Sequence, residues 1–198
     1  MFIQTETTPN PDVLKFLPGR DVLGAAQSGG AREFRDAAEA EASPLAEAIF
    51  DVEGVRRVFF GSDFLTVTRE AQGLEWPQMK APILAAIMEH FTSGAPIRHD
   101  GGLEAGAGEG HDDTVYAGDT AQIVAEIKDL LDTRIRPAVA QDGGDITFSR
   151  FDEATGVVFL HMRGACSGCP SSSATLKAGV ENMLKHYVPE VTRVEQTL

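Results

Sequence analysis

Two short apolar-rich runs, FIQTE (2–6) and VLKFL (13–17), flank a proline-containing turn at residues 8–11 and predict a pair of strands. Ser43 followed by Pro44 has the chemistry of an N-cap and a first helical residue, opening a short helix towards Phe50. Residues 55–60 and 64–68 are strand-like and enclose Gly61-Ser62-Asp63, a hairpin signal. From Pro77 the apolar residues Ile83, Leu84, Ile87, Met88 and Phe91 recur at helical spacing, and Gly94 ends the pattern. The charged, alanine-rich stretch 32–41 fits neither period and is expected to be an irregular insertion or a short surface helix.

A second set of elements begins at Asp119, read as an N-cap. Ile123, Ile127, Leu130 and Leu131 then share a helix face, and Pro137 is expected to kink or restart that helix. Asp142-Gly143-Gly144 predicts a turn, 145–151 a strand, 152–156 a second turn and 157–163 a returning strand with Val158, Leu160 and Met162 alternating. After the loop GACSGC, Pro170 opens a helix with Leu176, Val180, Met183, Leu184 and Tyr187 turned inward, and Lys177, Glu181 and Lys185 outside. Pro189 stops it. The order helix, strand, strand, helix also fits much of the first set, a faint echo of an internal repeat.

Between these sets the text changes character. Residues 93–119 hold seven glycines, six acids and one arginine, too little apolar surface to offset ordering entropy. The fold class expected is therefore α+β, with two small modules: 1–92, a flexible linker 93–119 spanning roughly 30 Å, and 120–198. The net charge of −13 repels phosphate backbones, so no nucleic-acid partner is expected. No apolar run approaches the ~20 residues that span a bilayer, so no membrane partner is expected either. The opening text resembles neither a secretory signal nor a transit peptide, which leads to the expectation of a bacterial cytoplasmic protein rather than one of the mitochondrial matrix.

Cys166 and Cys169 are the two cysteines of the chain. Such a spacing lets both sulfurs face one centre, and it recurs in zinc, iron–sulfur and thioredoxin-type sites. Gly164 and Gly168 permit a bulky group to approach, and Ser167 and residues 171–173 offer hydroxyl donors. Pro170 places Cys169 at or beside a helix N-terminus, which favours thiolate. Two ligands make half a site, because structural zinc and iron–sulfur cubanes take four. A second copy of the chain would supply the other two. A thioredoxin-like reading lacks a tryptophan before the loop and the βαβ order of that fold.

The stretch DGGDITFSRFDEATGVVFLHMRGACSGCPSSSATLKAGVENMLKHYVPEV resembles the C-terminal domain of NifU, as carried by Nfu-type iron–sulfur cluster scaffold and carrier proteins. FIQTETTPNPDVLKFLPGR resembles the separate N-terminal domain of many Nfu proteins. The resemblance implies a non-enzymatic carrier that holds a [4Fe–4S] cluster between two subunits and passes it to apo-proteins. It also implies Cys166 and Cys169 as the cluster ligands, no catalytic residue, a homodimer when loaded, and upstream assembly proteins as donors. The alternatives are a dithiol–disulfide oxidoreductase and a zinc-bridged interaction module. Among other candidates, His111-Asp112-Asp113 reads as a solvated charge run, His161 as a surface histidine and Trp76-Pro77 as a helix start.

Overall fold

The computed structural model describes residues 2–23, 31–98, 116–167 and 170–197. They fall into two compact units, Met1–Gly106 and Ala107–Leu198. Each has strands and helices, as the α+β expectation required.

The first unit is an antiparallel sheet with helices on one face. Its elements are β1 (Gln4–Thr7), β2 (Val13–Leu17), β3 (Arg32–Phe34), α1 (Ala37–Ala40), α2 (Pro44–Phe50), β4 (Val55–Phe60), β5 (Leu65–Arg69) and α3 (Trp76–Ser93). The strand order is β1-β2-β5-β4-β3. Period-two alternation turns Leu14, Phe16, Val58, Phe60, Leu65 and Val67 to one side, where Leu45, Ile49, Met79, Ile83 and Ile87 of the helices cover them. Ser43 caps α2 by accepting from the Ala46 N–H at 3.3 Å. Glu75 and Gln78 form a capping box at the start of α3, and Gly94, at φ 70°, ends it. Met88 of α3 is exposed, so the buried stripe is narrower than its sequence period implied.

The expectation of a short surface helix within residues 32–41 holds for Ala37–Ala40 and is corrected for the residues before it. Arg32–Phe34 is an edge strand, with Phe34 opposite Val58, and the Phe34 ring meets Phe60 edge-on at 5.0 Å. The Asp36 side chain then caps a four-residue helix through the Glu39 N–H, and Ala40 is fully buried. Three residues are too few for a period to register, and charged side chains flanking one phenylalanine concealed it.

The second unit opens with α4 (Gly118–Leu130), begun without a side-chain cap, so Asp119 lies in its first turn rather than at its N-cap. A π-helical turn, Leu131–Ile135, leads into α5 (Arg136–Gln141). Pro137 has no N–H and its ring crowds the carbonyl four residues back, so the helix widens by one residue: the Arg136 N–H donates to Leu131 O. β6 (Gly144–Asp152) and β7 (Val157–Gly164) form an antiparallel pair, and α6 (Pro170–Tyr187) crosses over to β8 (Arg193–Thr197). β8 runs parallel to β7. Val180 and Leu184 of α6 are buried, whereas Met183 and Tyr187, expected inside, are exposed; the Tyr187 hydroxyl accepts from Arg134 at 2.7 Å. On the outer side Lys185 pairs with Glu181, but Lys177 reaches Glu195 of β8 instead.

β8 was not anticipated, and its presence ends the idea of a repeat. One unit has five antiparallel strands and the other a mixed three-stranded sheet. RVEQT carries one apolar residue, Val194, which is fully buried; strand identity there comes from pairing, not from period.

If β3 is part of the folded sheet, Phe34→Ala should destabilise the first unit by about 3–5 kcal/mol. Chemical denaturation followed by circular dichroism measures it; a change near zero would mean that 32–34 behaves as a surface loop.

Candidate functional site

The loop after β7 is held by backbone geometry. Gly144 lies opposite Gly164 in the β6–β7 register, which sets the Asp142-Gly143-Gly144 turn beside the segment carrying Cys166. Gly164 takes φ 64° and Gly143 φ 82°, left-handed conformations that side chains resist. The Ala165 N–H donates to Gly143 O at 3.2 Å, closing the turn onto the loop. Ser167 folds back, its N–H and its hydroxyl both donating to Gly164 O at 3.1 and 2.9 Å. The serine hydroxyl expected near sulfur is thus engaged by backbone.

Cys166 is 5% exposed and belongs to the core of its unit with Ile146, Met162 and Leu184. Burial, then the carboxylates of Asp142 and Asp145, push its thiol up to about 12. The expectation of a favoured thiolate concerned Cys169 at the helix N-terminus; the surroundings of Cys166 favour the neutral thiol. Cys169, the other candidate ligand, lies outside the described residues, as does His111-Asp112-Asp113. Among the described residues no three His, Cys, Asp or Glu side chains are grouped to hold a metal ion. His161, expected at the surface, is half-buried with its Nε2 enclosed. Trp76 begins α3 and donates from its indole N–H to Pro11 O at 3.0 Å, a structural tie.

Asp145 would be an uncompensated buried carboxylate were it not for Arg136. The guanidinium meets it twice, at 2.9 and 3.2 Å, and reaches Asp132 at 3.0 Å. Burial works against the Arg136 charge, but hydrogen bonds and attraction to both carboxylates outweigh it and raise its affinity for the proton. The pair anchors α5 to the first residues of β6, beside the cysteine loop. No sequence signal singled out this pair, since Arg136 and Asp145 sit on different elements.

The crossover β7–α6–β8 also overturns the expectation that no βαβ order surrounds the motif. The cysteine loop sits at the carboxyl end of β7, where open α/β sheets characteristically bind ligands. Burial raises the Cys166 pKa, whereas a depressed one favours an attacking cysteine.

Residues 3–94 match the family model described as "Scaffold protein Nfu/NifU N terminal", and residues 127–195 match "NifU-like domain". The Arabidopsis thaliana protein named "NifU-like protein 5, mitochondrial" is 50% identical over 99% of this chain and 68% of its own length. The chain belongs to the Nfu/NifU scaffold family. A Drosophila erecta relative named "NFU1 iron-sulfur cluster scaffold homolog, mitochondrial" is 52% identical over 99% of this chain and 65% of its own. The chain thus spans less than two thirds of that relative. A solution structure of a Saccharomyces cerevisiae NifU-like protein is 28% identical, covers 50% of this chain and 84% of its own, and has a TM-score of 0.44. The family is one of scaffolds, not enzymes.

The names also correct one expectation. These relatives are called mitochondrial, which overturns the assignment to a bacterial cytoplasm. That assignment rested on the text after Met1, and a stretch of chain reports only its own composition, not the compartment of the protein.

A raised thiol pKa has a sign for stability. The folded chain holds Cys166 protonated up to about 12, against an ordinary value of 9.0. Its contribution is fully present below the ordinary value and is lost as pH rises through that window, because the unfolded chain ionises first. The denaturation midpoint of the metal-free protein should therefore fall more steeply with pH above 9.0 than that of Cys166→Ala. Parallel curves would show that Cys166 is not buried as a neutral thiol.

Proposed function

We propose that the chain is a scaffold and carrier that holds a [4Fe–4S] cluster, its cargo, between two copies of itself and hands it to apo-proteins. Cys166 and Cys169 of each copy serve as the ligands. The observation that carries this reading is arithmetic: a chain of 198 residues has two cysteines, and a cubane takes four thiolates. Membership of a scaffold family agrees with it, and so does a glycine-rich loop at the carboxyl end of β7.

The chemistry asked of the chain is modest. Each thiol must lose its proton as it binds iron, and the positive metal replaces the stabilisation that water would give the thiolate. A cluster shared by two half-sites leaves when the copies part, so release needs no residue to cleave a bond. Module 120–198 carries the cluster. Module 1–92, which has no cysteine, docks an apo client or a donor from the assembly machinery. Residues 93–119, rich in glycine and acids, connect them. The net charge of −13 argues against nucleic acid as a partner, and no described helix is long and apolar enough to cross a membrane.

Reconstitution without oxygen should give brown protein with about two iron and two sulfide per chain. Either Cys166→Ser or Cys169→Ser should abolish stable loading, since each removes two of the four shared ligands. In sedimentation, loaded protein should be a dimer and chelated protein a monomer. Full cluster content in a single mutant sinks the ligand assignment. Colourless protein with bound zinc would favour the zinc-bridged alternative.

A further inference from the structure

Gly144 has no backbone reason to be glycine. The left-handed glycines of the second unit, among the described residues, are Gly118, Gly143, Gly156 and Gly164; Gly144 is not one of them. The reason is space. A Cβ built on Gly144 would overlap Cys166 Sγ, and would stand 2.9 Å from Arg163 O and 3.1 Å from Cys166 N. Real Cβ atoms do not come so close to a sulfur.

The walls of that space are fixed. Gly144 is the first residue of β6 and is paired with Gly164, so it cannot back away without breaking the ladder. The preceding residue accepts the Ala165 N–H, and the following one, Asp145, is clamped by Arg136. The sulfur is the movable member of the contact. Rotation about χ1 moves the sulfur without moving backbone, whereas a ladder residue cannot shift.

We propose that Gly144 is a positioning residue of the site: its missing side chain forms a seat that the Cys166 sulfur fills, and the seat holds that thiol out of solvent in the unloaded protein. The inference rests on the reading of Cys166 as a ligand, because only then is its placement part of function. The contact itself can be tested without cargo. An unloaded carrier has a reactive group that must not be consumed before use, and a seat formed by the absence of atoms protects it while leaving one rotation as the way out.

The test uses unloaded full-length chain. In a Cys169→Ser background Cys166 is the one thiol, and its modification by N-ethylmaleimide can be followed by mass. The native rate should fall far below that in denaturant, and adding Gly144→Ala should raise the native rate at least about tenfold while leaving the denatured rate unchanged. Equal native rates with and without Gly144→Ala overturn the proposal. The thermal midpoint gives a second measurement. Gly144→Ala should lower it strongly in the parent chain and much less in Cys166→Ala, because the added methyl enters the space the sulfur has left. The same loss in both backgrounds would assign the glycine to the Arg163 carbonyl alone and overturn the seat. Should Gly144→Ala fail to fold, recovery in Gly144→Ala/Cys166→Ala supports the seat and continued failure overturns it. A chain that shows the coupling yet takes up no iron or sulfide would sink the scaffold reading and leave the contact standing.

Discussion

The approach of one backbone turn to one sulfur organises the second unit. Gly143 and Gly144 bring β6 within a few ångströms of the loop that follows β7: Gly143 takes a left-handed φ of 82°, and Gly144 leaves the space that a side chain would fill. The β6–β7 register, the hydrogen bond from Ala165 to Gly143 and the clamp of Arg136 on Asp145 all serve the same approach. Interiors are packed densely enough that a single methyl at such a place is felt. The loop is therefore built on a rigid floor, although it lies between elements.

Electrostatics at this floor run against intuition for a metal-binding loop. The Arg136 guanidinium is occupied by two carboxylates, and the carboxylates Asp142 and Asp145 face the thiol with negative charge. Burial and these charges thus favour the neutral thiol at Cys166. The crossover around the motif is βαβ in form, so the order of secondary structure does not separate a carrier from an oxidoreductase.

Much of this was legible in the sequence where chemistry repeats with a period or sits in a motif. The helix of Ile83 and Ile87, the Gly61–Asp63 hairpin and the alternation of Val158, Leu160 and Met162 all read directly. What failed to register was set by tertiary pairing. Arg32–Phe34 and Arg193–Thr197 are strands because β4 and β7 offer open edges, not because their own residues alternate. Met183 and Tyr187 lie to one side of the buried line of Val180 and Leu184, so they emerge at the surface. Asp142-Gly143-Gly144 was legible as a turn, but its contact with Cys166 joins distant parts of the chain and leaves no local trace. The same holds for Arg136 and Asp145.

The parallel strand β8 has a consequence for how the protein is made. β7 is polymerised before the cysteines, but its partner on the other side comes only after α6. Until then the core around Cys166 lacks Val191 and Val194, both buried in the finished unit. A chain still emerging from the ribosome therefore lacks two of the buried residues that share a core with Cys166, and that core can close only once 170–194 has been made.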